Sequence, residues 1–556
     1  MIMKSVNKIW ILLLVILCAG AGCKKYVDRD VLDELSDDDY WTSETNVRAF
    51  NWGFYDLFPG FGNGGSPGDF YFTSFSDDQV NPTFQNFALA VPASDANWDF
   101  SYIRKANLLL ERIDRVPIDD ASKNHWRGVA RFFRAYKYFS LVKRFGDVPW
   151  IGHYLDISED SVIYKPRDPR DLVMDSVLAD LNFAVDNLRE DDGENTVNKN
   201  VALALKSRIC LYEGTYREYH ENDNAGAAKY LNECKDASEK LMAAGYSLTA
   251  DYQTVYNSMD LSGNQEVMLY KKYAASFLTH SVIAYTNASS PMNGLSKPAV
   301  ESYLCTDGLP ITLSALYQGD DNIEDVRKNR DKRLLETIDT FYCYTGARVQ
   351  GLQSSTGYRP SKFLQPLSNQ LLPYNETDAP LFWLAETLVN YAEAVAELDK
   401  LGQYSMTQAD LDKSVNLLRA RGGVAKLELS GHQQVAVNGT PFVDPKKDAD
   451  VTSLIWEIRR ERRTELMMDG FRFDDLMRWK KGDYMDSQKN PDIFLGAKVP
   501  DTASAAHNSE GYLTPYASTG SVRTFVDPKN YLSPIPSGQI TLYPNGVLTQ
   551  NPGWEQ

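Results

Sequence analysis

Apolar residues recur at helical spacing along much of this 556-residue chain, and this periodicity constrains its fold more than any other feature. The stretch 121–145 is the clearest case, because its apolar residues repeat every three or four positions and so share one helix face. That stripe consists of Val129, Phe132, Phe133, Tyr136, Phe139 and Val142. Gly146 and Pro149 then end the helix. An apolar helix face must be buried against another element, so the pattern predicts a body of packed helices.

The predicted helices come in pairs joined by short connections. After a first helix capped by Asp37 or Asp38, they lie at 98–116 and 121–145, 168–190 and 199–220, 225–244, 380–401 and 407–421, and 451–469 with a short one ending at Trp479. The first of them runs to about Phe58. Repeated antiparallel pairs of roughly 34–45 residues are typical of a tetratricopeptide-like solenoid. The predicted fold class is therefore mainly α: a tetratricopeptide-like helical-pair body with long irregular loops and a few short strands.

Three stretches lack helical period and are rich in Gly, Pro, Asn and Ser. They cover about 59–97, 246–375 and 485–556, and we expect them to form irregular excursions from the helical body. The first of them scatters Phe and Tyr residues among Asp and Asn. Long irregular segments are uncommon in compact domains and are often binding loops, so these excursions are predicted to face a ligand.

The N-terminus has the composition of a bacterial export signal. Lys4 and Lys8 precede an unbroken apolar run at 9–19 that is too short to span a bilayer. Cys23 follows Gly20-Ala21-Gly22, which is similar to a lipobox, where the cysteine is acylated and becomes the new N-terminus. The alternative is a plain secretory signal with an incidental cysteine. We expect a lipoprotein signal peptide at 1–22, an acidic tether at 23–40 and a single domain at 41–556.

The net charge of −17 argues against nucleic acid as a partner, because proteins bind phosphate backbones through basic patches. Cys210, Cys234, Cys305 and Cys343 make no C-x-x-C pattern, and we expect no metal site and no cofactor. If these cysteines form disulfides, the pairs favoured by the sequence are Cys210–Cys234 and Cys305–Cys343.

Aromatic residues make up 12% of the chain, and Tyr and Trp suit sugar rings, which have an apolar face and a hydroxyl-rich rim.

The sequence gives little support for a catalytic motif. A G-x-S-x-G pattern occurs at 64–68, but a nucleophile elbow needs a strand before it and a helix after it, and a Gly/Pro-rich stretch predicts neither. We interpret it as a chance match.

The segment 457–479 is the sharpest local pattern, with Glu every four residues among arginines. We predict that these side chains form ion pairs that lock helices together, a structural role.

The same segment resembles the signature stretch of the SusD/RagB family of surface glycan-binding lipoproteins. The matching residues are Glu461, Arg462, Arg463, Glu465, Leu466, Gly470, Arg472, Asp475, Leu476, Arg478 and Trp479, with Asp469 in place of the usual Glu. Further family-like passages follow in the expected order at 38–45, 98–107, 133–149, 307–310, 531–536 and 550–554. The resemblance covers the whole chain after the signal.

The resemblance implies a non-catalytic protein that captures an oligosaccharide or polysaccharide and passes it to a SusC-like TonB-dependent outer-membrane barrel. It also implies an outer-membrane location at the cell surface, with acylated Cys23 in the lipid. A secreted helical glycoside hydrolase or lyase, or a binder of peptide in place of glycan, is the alternative.

Ligand residues vary within such a family, so the candidate site is inferred from exposed chemistry on the irregular segments. The predicted ligand-binding residues are Asp69, Tyr71, Phe72, Asp78, Asn97, Tyr317 and Tyr358. Trp98 opens a family-like helical passage, and we assign it to the core.

Overall fold

The computed structural model describes residues 37–63, 66–67, 75–156, 158–282, 293–349, 351–365 and 374–555. Its longer helices are α1 (Glu44–Trp52), α2 (Ser101–Arg112), α3 (Asp120–Phe145), α4 (Arg170–Asn187), α5 (Lys199–Tyr216), α6 (Asn224–Met242), α7 (Leu384–Lys400), α8 (Val415–Gly422), α9 (Ser453–Glu465) and α10 (Arg472–Arg478). Short helices lie at Asp37–Tyr40, Asp160–Ile163, Thr254–Asn257, Lys297–Ser302, Ile323–Arg327, Lys332–Thr337, Gln408–Asp412 and Ser537–Ile540.

The helices stack in chain order. α2 packs on α3, α3 on α4, α4 on α5, α5 on α6, α6 on α7, and α7 on α9. The spine of this stack is α3, which is about 39 Å long. Asp119 caps its first turn by accepting a hydrogen bond from Ser122 N–H, and Gly146 ends it with a positive φ of 72°. The predicted stripe of α3 is buried apart from Tyr136, which is half-buried. The mainly helical, paired architecture is thus confirmed.

The structure corrects two predicted helices at their ends. The first is capped by Ser43, not by Asp37 or Asp38, and ends at Trp52, followed by a 3-10 turn at Tyr55–Leu57. The helix predicted from residue 380 begins only at Leu384, because 379–383 form a buried strand of consecutive apolar residues. Short apolar runs fit a buried strand as well as a helix, so periodicity could not separate the two.

The strands are short and lie outside the helical stack. They are β1 (Gly62–Asn63), β2 (Ser66–Pro67), β3 (Gln79–Val80), β4 (Val267–Lys271), β5 (Gly294–Leu295), β6 (Ala379–Trp383), β7 (Glu428–Gly431), β8 (Gln434–Val437) and β9 (Thr440–Phe442). The antiparallel pairs are β1–β2, β3–β5 and β4–β6, and β7–β8–β9 form a small sheet. In β4–β6, Val267 pairs with Trp383 and Lys271 with Ala379, so the excursion 246–375 returns to the stack where α7 begins.

The charged helix α9 is buried, and its charges are paired as predicted. Arg478 of α10 forms a bidentate ion pair with Glu393 of α7, in which Nη1 lies 2.6 Å from Oε1 and Nη2 lies 2.7 Å from Oε2. Arg333 reaches both Glu461 at 2.6 Å and Glu465 at 2.8 Å. Two-pronged Arg–carboxylate pairs fix the relative orientation of the groups they join. These contacts tie α9 and α10 to α7 and to the short helix Lys332–Thr337.

All four cysteines of the described body are free and buried, so neither disulfide pair is present. Burial raises the pKa of the Cys234 thiol to about 12 and that of Cys343 to about 11. The side chains therefore act as small apolar groups in the packing. Within the described ranges, none of the helices combines the length and the apolar composition that a membrane crossing would require.

Candidate functional site

Three loop stems meet on one side of the helical body, in a group of residues that we call the stem cluster: Phe61, Tyr273, His280, Phe363 and Asn375. The Phe61 ring lies 5.0 Å from the His280 ring and 5.4 Å from the Phe363 ring, centroid to centroid. The Phe61 N–H donates a 2.8 Å hydrogen bond to the Tyr273 hydroxyl. His280 and Asn375 exchange backbone hydrogen bonds of 3.0 and 2.8 Å. The stem cluster thus joins parts of two predicted excursions, 59–97 and 246–375.

Two exposed aromatic side chains lie within three residues of the stem cluster along the chain. Phe277 is 92% exposed, in a turn closed by backbone hydrogen bonds between Ala274 and Leu278, and Tyr374 is 60% exposed, directly before Asn375. Large aromatic rings this exposed often take part in binding. The stem cluster itself is buried, so we call the two exposed rings, Phe277 and Tyr374, the aromatic face.

Buried polar groups hold the stem cluster together. Asp378 accepts hydrogen bonds from the N–H groups of Tyr273 at 2.9 Å and Leu261 at 3.0 Å, and burial raises its pKa to about 6. His280 shares a 2.8 Å hydrogen bond between its Nε2 and the Thr377 carbonyl, and burial lowers its pKa to about 4, so the ring is neutral near pH 7. These groups hold the stems together and are too buried to contact a ligand.

The predicted ligand residues fall in different places. Asp69, Tyr71 and Phe72 lie outside the described residues. Asn97 is exposed, but its amide donates 2.7 Å to Asp95, which pairs with Arg144 at the end of α3. Tyr317 is half-buried under the Arg330 guanidinium, 5.6 Å from its ring centroid. Asn97 and Tyr317 therefore each have a partner within the protein.

Two of the predicted ligand residues are corrected by the structure. Asp78 is only 2% exposed and pairs with Arg463 of α9 at 2.7 Å, so it supports the fold. Tyr358 is also 2% exposed, with its ring 5.5 Å from that of Tyr342. Both were predicted from their position on irregular segments, but these segments fold back onto the body. Trp98 is buried against Phe145, as predicted.

Sequence reasoning missed Phe277 and Tyr374. Both lie within the excursion 246–375, where the chain carries many aromatic residues and no period that separates buried from exposed positions. A lone exposed ring leaves no signal in the sequence, because exposure depends on which distant segments pack around it.

The fold and the exposed rings define a class of protein. In this class, antiparallel helix pairs form a scaffold, and loops on the scaffold carry an aromatic face that can bind a ligand. The model of the SusD family matches residues 238–554, more than half of the chain, and a second model described as "starch-binding associating with outer membrane" matches residues 66–211. The chain belongs to the SusD family.

Individual relatives agree with this assignment. A SusD-like protein of Formosa agariphila is 23% identical over 521 residues, which cover 86% of this chain and 93% of that protein. A SusD-like carbohydrate-binding protein of Bacteroides fragilis has the same fold, with a TM-score of 0.68 at 20% identity, over 91% of this chain and 99% of that one. A laminarin-binding SusD-like protein matches with a TM-score of 0.56 at 20% identity, over 92% and 100% of the two chains.

Proposed function

We propose that this protein captures a glycan at the outer-membrane surface without cleaving it and passes it to a SusC-like TonB-dependent barrel. Membership of the SusD family carries the proposal. The matched family description names starch binding and the outer membrane, and two structural neighbours are named as carbohydrate-binding and laminarin-binding proteins.

The proposed glycan site is the aromatic face together with Asp69, Tyr71 and Phe72. Flat rings such as Phe277 and Tyr374 can stack on the apolar face of a sugar, while carboxylates and amides receive its hydroxyl groups. Phe61 belongs to the same excursion as Tyr71 and Phe72, and its ring packs on His280, which lies three residues after Phe277. This adjacency favours one shared site over scattered contacts.

In the proposed organisation, the N-terminal residues export the protein and anchor it to the outer membrane. Residues 1–22 act as the export signal, acylated Cys23 holds the protein in outer-membrane lipid, 23–40 form a tether, and 41–556 form one ligand-binding domain. A tether of this length would leave the domain at the surface, within reach of a barrel in the same membrane.

The experiment that tests the proposed function uses a panel of malto-oligosaccharides, laminarin oligosaccharides and peptides of similar mass. Isothermal titration calorimetry measures binding to the purified full-length protein, and chromatography of the same mixtures measures cleavage. We expect binding of at least one glycan with the sugar recovered intact. Release of shorter sugars supports a hydrolase or lyase, and binding of peptides alone supports a peptide carrier; either result overturns the proposal.

A further inference from the structure

A recessed cavity lies in the helical body, where α3 and α5 face the strand β6 and the start of α10. Its volume is about 230 Å³, and every lining residue that the structure describes is buried or half-buried. We call this cavity the ring pocket, because many of its lining side chains are aromatic. The aromatic side chains are Phe58, Tyr136, Phe139, Phe382 and Phe471.

The α3 side of the ring pocket follows from helical spacing. Tyr136, Phe139, Ser140 and Lys143 are three or four residues apart around the helix and so share one face of it. The Ser140 hydroxyl donates to the Tyr136 carbonyl at 3.0 Å. Tyr136 borders the cavity, and for this reason it is the half-buried member of the apolar stripe of α3. The ring pocket thus interrupts the helix packing at a defined place.

The rings of the ring pocket are fixed by contacts within the protein. The Phe58 ring lies 5.6 Å from that of Tyr136 and 6.2 Å from that of Phe382, centroid to centroid. The Arg208 guanidinium lies 4.3 Å from the Phe382 centroid and 5.1 Å from the Phe471 centroid. Side chains that are already ordered lose little conformational entropy when a ligand binds, so the pocket is preorganised.

The charged side chains that line the ring pocket are all paired within the protein. The pairs are Arg208–Glu386, Lys143–Asp474 and Lys362–Asp469. In the first pair, Arg208 Nε and Nη2 each lie 2.6 Å from one carboxylate oxygen. The pocket therefore presents no unpaired charge to a ligand. An ion would lose its hydration there without gaining an opposite charge, so the pocket favours a neutral ligand.

Two of these ion pairs keep a hydrogen-bonding atom unused. Arg208 Nη2 also donates to the Leu381 carbonyl at 2.8 Å, but Nη1 donates to no acceptor among the described residues. Asp474 Oδ1 accepts no hydrogen bond in the same part of the chain. The Arg208 side chain is 19% exposed and that of Asp474 is 32% exposed, so a ligand can reach them. A donor and an acceptor beside a set of rings match sugar hydroxyls, since each hydroxyl can donate and accept.

We propose that the ring pocket binds one neutral sugar residue, with its apolar face on the rings and its hydroxyl groups on Arg208 Nη1 and Asp474 Oδ1. Aromatic side chains offer a flat apolar surface for such a face. The cavity is recessed and smaller than a site for a drug-sized molecule, so it receives the end or a side branch of a glycan chain. This inference rests on the proposed function, since it assigns a second site to a glycan-binding protein.

The test of the ring pocket uses the full-length protein and the neutral disaccharides maltose, laminaribiose and cellobiose. Indole is added as a probe that has a flat ring but no hydroxyl groups. Ligand-observed NMR titration measures binding. We expect at least one disaccharide to bind. Binding of indole without binding of any disaccharide would identify the cavity as a pocket for an apolar side chain and would overturn the proposal.

Ser140→Leu locates the bound disaccharide. The larger side chain narrows the ring pocket and keeps its ion pairs, so it should weaken the disaccharide by about tenfold or more. Ser176→Leu is the matched control, because Ser176 is also a half-buried helical serine whose hydroxyl donates to the carbonyl four residues earlier, at 2.8 Å, outside the pocket. Melting temperatures check that both variants are folded.

Asp474→Leu decides the matter if Ser140→Leu does not fold. It removes the acceptor of the ring pocket at similar side-chain size and should also weaken the disaccharide. Its control is Asp175→Leu, since Asp175 is paired with Lys229 at 2.7 Å outside the pocket.

A wild-type protein that binds no disaccharide, or a folded pocket variant that binds like wild type, overturns the ring pocket proposal. If other glycans still bind in that case, the proposed function stands. If no glycan of any length binds, both proposals fail.

Discussion

The Arg462 guanidinium and the Asp475 carboxylate, 13 residues apart, meet inside the protein, with Arg462 Nε 2.9 and 2.8 Å from the two carboxylate oxygens. Arg462 Nη1 also donates to the Asn390 side-chain oxygen of α7 at 2.7 Å. One side chain of α9 therefore joins α10 and α7. These residues belong to the signature stretch, which shows that this stretch serves the scaffold.

Arg462→Ala should destabilise the protein strongly. Removal of the guanidinium breaks a buried ion pair, leaves Arg478 as the remaining partner of Asp475 and takes the donor from the Asn390 side-chain oxygen, which together cost about 3 kcal/mol of unfolding free energy. Urea unfolding followed by circular dichroism measures the loss. Arg127→Ala is the matched control, since Arg127 pairs with the exposed Asp114 and its removal should cost about 0–1 kcal/mol. Glycan affinity measured on the folded fraction should stay within about twofold of wild type, and a collapse of affinity at intact stability would show that α9 contacts ligand.

Phe277→Ala combined with Tyr374→Ala should weaken glycan binding by about tenfold or more, because both exposed stacking surfaces are lost. Neither ring is buried, so the melting temperature should hardly change. Tyr71→Ala combined with Phe72→Ala is expected to weaken the same ligand. Titration calorimetry with the best glycan of the panel is the measurement, and Trp52→Ala serves as the control. Wild-type affinity in both double variants would move the site away from the aromatic face.

Cys23→Ala should release the protein from the membrane fraction. One acyl chain anchors a protein weakly, whereas two or three hold it stably, so loss of the acylated cysteine removes the anchor. Fractionation of cells followed by immunoblotting measures the distribution. A Cys210→Ala variant, which changes a buried thiol of the body, is the matched control and should stay in the membrane. Unchanged retention of the Cys23 variant would contradict the lipobox interpretation.

Stability should fall as pH rises from about 5 to 7, in part through Glu218. Burial, and then the nearby charge of Glu397, raise the pKa of Glu218 to about 7, against about 4.5 in an unfolded chain. The folded state therefore binds the proton more tightly than the unfolded state. This contribution to stability is present below pH 4.5 and is lost as pH rises towards 7, by on the order of 1–3 kcal/mol.

Glu218→Gln should flatten this dependence. The measurement is the free energy of urea unfolding at half-unit steps from pH 5 to 8, compared with Glu190→Gln, which changes a carboxylate at the surface. An identical slope in wild type and in Glu218→Gln would show that Glu218 titrates normally. Neither variant should change glycan affinity, because neither position belongs to the proposed glycan site.

The helices were predictable because the information is local. The stripe of α3, its end at Gly146 and the buried position of Trp98 follow from residues within a few turns of each other. The pairing of the α9 charges was also predictable in kind, since so many arginines and glutamates next to large apolar residues favour burial in pairs.

Exposure on the irregular segments was not predictable. Asp78 has the same local context as a ligand carboxylate, but Arg463, 385 residues further along the chain, buries it. Tyr358 and Phe277 belong to the same excursion, but the Tyr358 side chain is buried and the Phe277 side chain is exposed. The difference depends on which distant surfaces meet, and no short-range pattern records that.

The sequence by itself determined the helical pairs, the family-specific scaffold and the acidic character of the chain, and it predicts an export signal with Cys23. The tertiary structure alone decided that the stems of two excursions meet in the stem cluster, which aromatic rings stay exposed, and which carboxylate each arginine of α9 meets. The physical reason is the range of the interactions. Helix periodicity and capping act over a few residues, whereas burial, ion pairing and cavity shape arise from segments hundreds of residues apart.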